Sequence, residues 1–138
     1  MKPTIMSKFA LDTNIFIYSH DNSGGVKQNI ARDLIIRSPI VSTQVISEYI
    51  NALKRILKIP KEQLFRIFMP NLNYCHIAVV DIETLHIAER IMLKYDLQIF
   101  DSIIIASAIE SNCKVLYSED LQHNQIIEGT LVIQNPFV

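Results

Sequence analysis

The chain has 138 residues, 49% of them apolar and 20% charged, with a formal net charge of −1. That length and makeup suit one globular domain with a buried core and exclude a disordered chain. The longest apolar stretch, around residues 99–109, is interrupted by Asp101 and falls short of the roughly 20 residues that cross a bilayer, so no membrane span is expected.

In chain order, the opening MKPTIMSKFALD holds two lysines, a short apolar run and no small-residue cleavage site. No secretory leader is expected, and with it a cytoplasmic location is the expectation. Short β-branched runs followed by turn formers predict strands at 8–11, 39–42, 77–80, 114–117 and 131–133. Apolar periodicity predicts helices at 26–37, 44–57, 61–69, 81–95 and 101–111. Strands separated by helices imply parallel pairing and a three-layer α/β/α domain. The loop at 22–25 lacks the lysine and hydroxyl of a phosphate loop. Cys75 and Cys113 match no zinc or redox spacing and read as buried reduced thiols, and the four histidines show no ligand spacing.

Charge is unevenly spread. Residues 50–70 carry Lys54, Arg55, Lys58, Lys61 and Arg66 against Glu62, whereas residues 81–128 carry nine acids against Arg90, Lys94 and Lys114. The basic run reads plainly as a solvated helix face and, functionally, as a surface that tracks phosphates.

Parallel sheets bind ligands beyond the carboxyl ends of their strands, which singles out the acids there. Asp12 ends the first strand, Asp81 the third, and Asp120 follows the fourth after Ser118 and Glu119. Asp101 opens the apolar helix DSIIIASAI. On a helical projection, Glu48 borders a stripe formed by Val45, Ile46, Tyr49, Ile50, Ala52, Leu53 and Ile56, and Arg55 shares its azimuth two turns later. Each acid also has a bland reading: Asp12, Asp81 and Asp101 as N-caps worth about 1 kcal/mol, Glu48 as a solvated stripe edge, Asp120 as a turn former. Two carboxylates about 4 Å apart repel by about 4 kcal/mol at an effective dielectric of 20. If several converge, a dication is the natural counter-charge, and Mg²⁺ takes one or two carboxylates with waters and phosphate oxygens.

Asp12-Thr13-Asn14 after an apolar strand, SEYIN with Glu48, FDSIIIASA with Asp101 and LYSEDLQ with Asp120 together resemble the ordered acidic signature of PIN-domain ribonucleases. The likeness is nearest to the VapC-type toxins of type II toxin-antitoxin pairs, and it runs from Phe9 to Asn135-Pro136-Phe137. It makes residues 1–138 a single PIN-like domain, with residues 1–5 an extra lead-in before Met6. The resemblance implies a central, mainly parallel sheet of about five strands in the order 3-2-1-4-5. Its first and fourth strands would lie about 4.8 Å apart. Asp12 and Asp120 then become neighbours, and Asp81 goes to the sheet edge, where capping suits it.

The resemblance also implies site roles. Asp12 and Asp101 would be the principal ligands of Mg²⁺ or Mn²⁺, with Glu48 and Asp120 completing the pocket and Asn14, Ser118 and Glu119 holding carboxylates or bound water. The implied activity is metal-assisted endonucleolytic hydrolysis of RNA, tRNA or mRNA, with Lys54, Arg55 and Lys58 following the flanking phosphates. The implied partners are a second copy of the chain and a cognate antitoxin whose C-terminal segment covers the acids with a basic side chain. A receiver domain fits less well, since Gln134 and Asn135 stand where it needs lysine. A haloacid-dehalogenase phosphatase wants aspartate where Asn14 stands. A catalytically silent PIN-fold module that binds RNA or protein stays open.

Overall fold

A computed structural model describes residues 8–23 and 25–138. The expected lead-in before Met6 and Gly24 of the 22–25 loop lie outside the described residues. The chain runs β1 (Phe9–Leu11), α1 (Thr13–Tyr18), α2 (Val26–Ile35), β2 (Ile40–Ser42), α3 (Thr43–Leu57), α4 (Lys61–Leu72), β3 (His76–Ala78), α5 (Ile82–Tyr95), α6 (Ile99–Glu110), β4 (Val115–Tyr117), β5 (Ile126–Ile127) and β6 (Leu131–Gln134). The sheet order is β3-β2-β1-β4-β6-β5. Every pairing is parallel except that of β5 with β6.

The five predicted strands thus take the implied order, and β5 adds an antiparallel edge. β5 and β6 are joined through Glu128 and Gly129, both at positive φ, with the Thr130 N–H donating to the Ile127 carbonyl. Two residues are too few to give an alternating signal, so the sequence pattern does not show this strand. Helix α1 is likewise missing from the periodic pattern, although the N-cap reading of Asp12 requires a helix there. Six residues hold no full apolar repeat, and the helix exists because Asp12 caps it and the core buries Ile15 and Phe16.

The core lies between the sheet and its helices. Leu11, Phe16, Tyr49, Ile105 and Leu116 are fully enclosed there. Residues 102–108 of α6 are buried all round, because this helix packs on α5 while also meeting α3, β2 and β4; hence its sequence is apolar without a polar face. Along α3 the stripe through Val45, Tyr49, Ala52 and Leu53 is buried as expected, but Ile56 is 56% exposed. A helix of 15 residues is about 22 Å long, whereas a three-residue strand spans about 10 Å, so its last turn outruns the sheet. Among the described residues no helix is long and apolar enough to cross a membrane. Cys113 is a buried free thiol; Cys75, also free, is only half-buried because it follows α4 at the rim of the core.

Candidate active site

Asp12 leaves the end of β1, which is paired to β4 through Leu11 and Tyr117, and its N–H donates to the Tyr117 carbonyl at 3.0 Å. Its side chain does two things. Oδ1 accepts the Thr13 N–H at 2.7 Å and so caps α1, while Oδ2 accepts the Ser118 hydroxyl at 2.7 Å. The residue is 4% exposed. Burial pushes its carboxyl from an ordinary 3.8 up to about 6, against the lowering effect of the Ser118 and Thr13 bonds, and Asp101 and Glu48 add repulsion. The Asn14 amide reaches both Asp12 Oδ2, at 3.4 Å, and Asp120 Oδ2, at 3.1 Å, so one side chain ties two carboxylates together.

Glu48 is half-buried at the stripe edge of α3. Its Oε1 accepts the Thr13 hydroxyl at 3.0 Å, and its Oε2 accepts the amide of Gln44, one turn earlier, at 2.9 Å. Asp101 corrects the sequence expectation: it does not open α6. Gln98 is the N-cap, accepting the Asp101 N–H at 3.0 Å, and Asp101 is the third helical residue. Relieved of capping, its carboxylate makes no hydrogen bond among the described residues, and burial, then Glu48 and Asp120, push its pKa up. Asp120 is exposed, in the turn where its own N–H and that of Leu121 donate to Ser118 Oγ at 3.1 and 3.3 Å.

Glu48, Asp101 and Asp120 therefore share one open cleft of about 560 Å³, with Asp12 buried beside them and electrostatically coupled to two of the three. A second cleft, of about 420 Å³, shares Glu48 and Asp120 and brings in Asn14 and Arg55. Among the described residues none of the four acids forms an ion pair. Nor are any three acidic, histidine or cysteine side chains gathered tightly enough to cage a metal ion as they stand. The donors are all oxygen, and buried charge at Asp12 has no counter-ion among them, so the chemistry of the set fits a hard dication.

Other expected residues fall elsewhere. Asp81 follows the edge strand β3 and caps α5 through a reciprocal box with Thr84, whose N–H it accepts at 3.1 Å. Glu119 donates its backbone N–H to Asn14 Oδ1 at 3.2 Å, but its carboxylate is held by Lys27 at 2.6 Å and by the Tyr18 hydroxyl at 2.5 Å, which depress its pKa. Arg55 lines the second cleft; Lys54 and Lys58 are exposed and line neither. Sequence reasoning missed Thr13, Gln44, Tyr18 and Lys27. Gln44 had a signal, lying four residues before Glu48; the Tyr18–Glu119–Lys27 contacts join distant segments and had none.

An alternating α/β chain with acids from four elements at the carboxyl edge of its sheet defines a class. The model of the PIN domain matches residues 9–128, and the chain belongs to the PIN domain family. Among solved structures, a toxin-antitoxin complex from Klebsiella pneumoniae is similar, with 22% identity, 94% of this chain and 98% of that chain covered, and a TM-score of 0.69. VapC20 of Mycobacterium tuberculosis, described as a Sarcin-Ricin loop cleaving toxin, is 16% identical over 82% of this chain and 90% of its own, with a TM-score of 0.64. The DNA-bound VapBC from Salmonella typhimurium is 18% identical over 95% and 99%, with a TM-score of 0.71. At these identities the likeness is one of fold. No curated protein sequence matches the chain.

Proposed function

We propose that this chain is a metal-dependent endoribonuclease and the toxin of a toxin-antitoxin pair, working in the cytoplasm. The observation that carries the reading is the convergence of Asp12, Glu48, Asp101 and Asp120 on one site, none of them in an ion pair among the described residues. The similarly folded toxin from Mycobacterium tuberculosis, described as cleaving the Sarcin-Ricin loop, supports RNA as the substrate class, here tRNA or mRNA.

In this reading Asp12 and Asp101 hold Mg²⁺ or Mn²⁺, with Glu48 and Asp120 beside them. Bound there, the dication supplies a water of lowered pKa and neutralises charge on the phosphate. The chain's own residues fix the acids that do the holding. Ser118 fixes Asp12, Asn14 ties Asp12 to Asp120, and Thr13 and Gln44 pin both oxygens of Glu48. Asp101, which has no such partner among the described residues, is free to adjust. Arg55 at the cleft, with Lys54 and Lys58 further along α3, would follow the flanking phosphates. A basic side chain of a cognate antitoxin would quiet the enzyme by balancing the same acids, and exposed Phe65 on α4 supports a homodimer face.

The test is incubation of purified protein with labelled tRNA and mRNA in Mg²⁺, Mn²⁺ or EDTA, alongside Asp12→Ala and Asp101→Asn. Cleavage is expected with either metal in the native chain alone. Cleavage that survives EDTA or either substitution refutes the reading.

A further inference from the structure

The two clefts that share Glu48 and Asp120 differ in chemistry. The smaller one brings Arg55 to the acids, along with Ile17 and Tyr18. Among the described residues the larger contains no lysine or arginine; around its acids stand Gln44, Ser47, Asn51, Gln98 and Phe100. A phosphate is drawn to the guanidinium side, because the other wall's charges are all carboxylates. A nucleobase is not repelled there. Three carboxamides and an aromatic ring are what base recognition uses: the ring offers a stacking face, and amides pair with the donor and acceptor edges of an unstacked base.

The state of each group agrees. Phe100 is 50% exposed on the first turn of α6, beside Asp101. Gln98 uses its Oε1 to cap that helix at 3.0 Å, which leaves its amide N–H groups as donors. Gln44 uses an N–H on Glu48 Oε2 at 2.9 Å, which leaves its Oε1 as an acceptor. Asn51, exposed one turn further along α3 from Ser47, brings a complete amide.

We infer that this wall is a base-reading subsite for one unpaired nucleotide next to the cleaved phosphate of an RNA strand. Phe100 stacks on the base, Asn51, Gln98 and Gln44 read its edge, and Arg55 takes backbone phosphate on the opposite side of the acids. The inference rests on the ribonuclease reading, and two arms separate its failure from the failure of that reading.

In the first arm a randomised single-stranded RNA pool is cleaved and the new ends are sequenced. The native chain is expected to favour one base at a fixed distance from the cut. Asn51→Ala and Gln98→Ser, the latter keeping an oxygen to cap α6, should flatten that preference at least fivefold. Phe100→Ala should raise KM about tenfold, in line with the loss of one stacked base, and Phe100→Tyr should restore it. The second arm needs no turnover: in the Asp12→Asn background, fluorescence anisotropy compares a ten-nucleotide RNA of mixed sequence with an oligomer of the same length lacking bases. The abasic strand should bind about tenfold more weakly, and Phe100→Ala should erase the difference. If the native chain cuts no RNA, the ribonuclease reading falls and the second arm alone decides the subsite. Equal binding of the two strands, or an unaltered base preference in all three folded variants, overturns it and leaves Phe100 a surface for protein contact.

Discussion

Asp12→Asn separates the two jobs of this residue, because asparagine keeps the shape and the capping oxygen while removing the charge. Asp12 has its carboxyl pushed from 3.8 up to about 6, and each pH unit of displacement corresponds to about 1.4 kcal/mol. The folded metal-free protein therefore binds a proton between those values that the unfolded chain has already released. Stability is favoured below pH 4 and is lost as pH rises through 6. By pH 7 the ionised carboxylate costs about 3 kcal/mol relative to the neutral acid. Asparagine avoids that cost but cannot accept from both Thr13 and Ser118 as the carboxylate does, which returns about 1 kcal/mol. The expected net gain is about 2 kcal/mol at pH 7, or a rise in Tm of several degrees, together with loss of RNA cleavage. The assay is thermal unfolding in EDTA from pH 4 to 8 for both proteins, read as their difference. Subtraction cancels His20, whose pKa is lowered by burial and by Arg32 and whose contribution therefore runs the other way, stability rising with pH toward 6.5. A difference curve that stays flat, or that favours the native chain more as pH rises, would refute the claim that a buried, uncompensated charge sits at the centre of the site.

Saturating Mn²⁺ should stabilise the native chain at pH 7 by about 2.7 kcal/mol at a hundredfold excess over its dissociation constant and leave Asp12→Asn almost unmoved, as differential scanning fluorimetry would show. Asp81→Ala should lose about 1 kcal/mol in urea unfolding, the worth of a cap, with unaltered RNA cleavage; impaired cleavage would return Asp81 to the site. Ser118→Ala strips Asp12 of its hydroxyl donor and leaves the N–H groups of Asp120 and Leu121 without their acceptor, so about 1–3 kcal/mol of stability should disappear. Reversing charge at Lys54 and Lys58 should weaken RNA binding and make its log–log salt dependence shallower by about 0.7 for each phosphate no longer neutralised. Unchanged affinity and slope would remove α3 from the RNA path.

What the sequence displays and what it hides follow from how far apart the interacting residues lie. The positions of five strands and five helices rest on periodic apolar runs of several residues and were legible, whereas the strand order came only with the family resemblance; α1 and β5, with six and two residues, do not complete two periods and were not shown by the pattern. Asp12, Asp101 and Asp81 look alike along the chain, each an aspartate before an apolar helix, yet they end in three different states. Asp81 caps α5 at the sheet edge. Asp101 does not cap at all, because Gln98 three residues earlier supplies the oxygen. Asp12 caps α1 and faces Ser118 across 106 positions of sequence. Capping is decided by neighbours within four residues, so local pattern can raise it for all three. Whether a carboxylate also carries unbalanced charge depends on which strand lies alongside and what that strand's end contributes, and only the β1–β4 pairing settles that. The site is accordingly less a property of its acids than of the register that sets Leu11 opposite Tyr117. A slip of one residue would turn Ser118 away from Asp12, leaving the charge buried without its hydroxyl and the two carboxylates joined by Asn14 on different faces of the sheet.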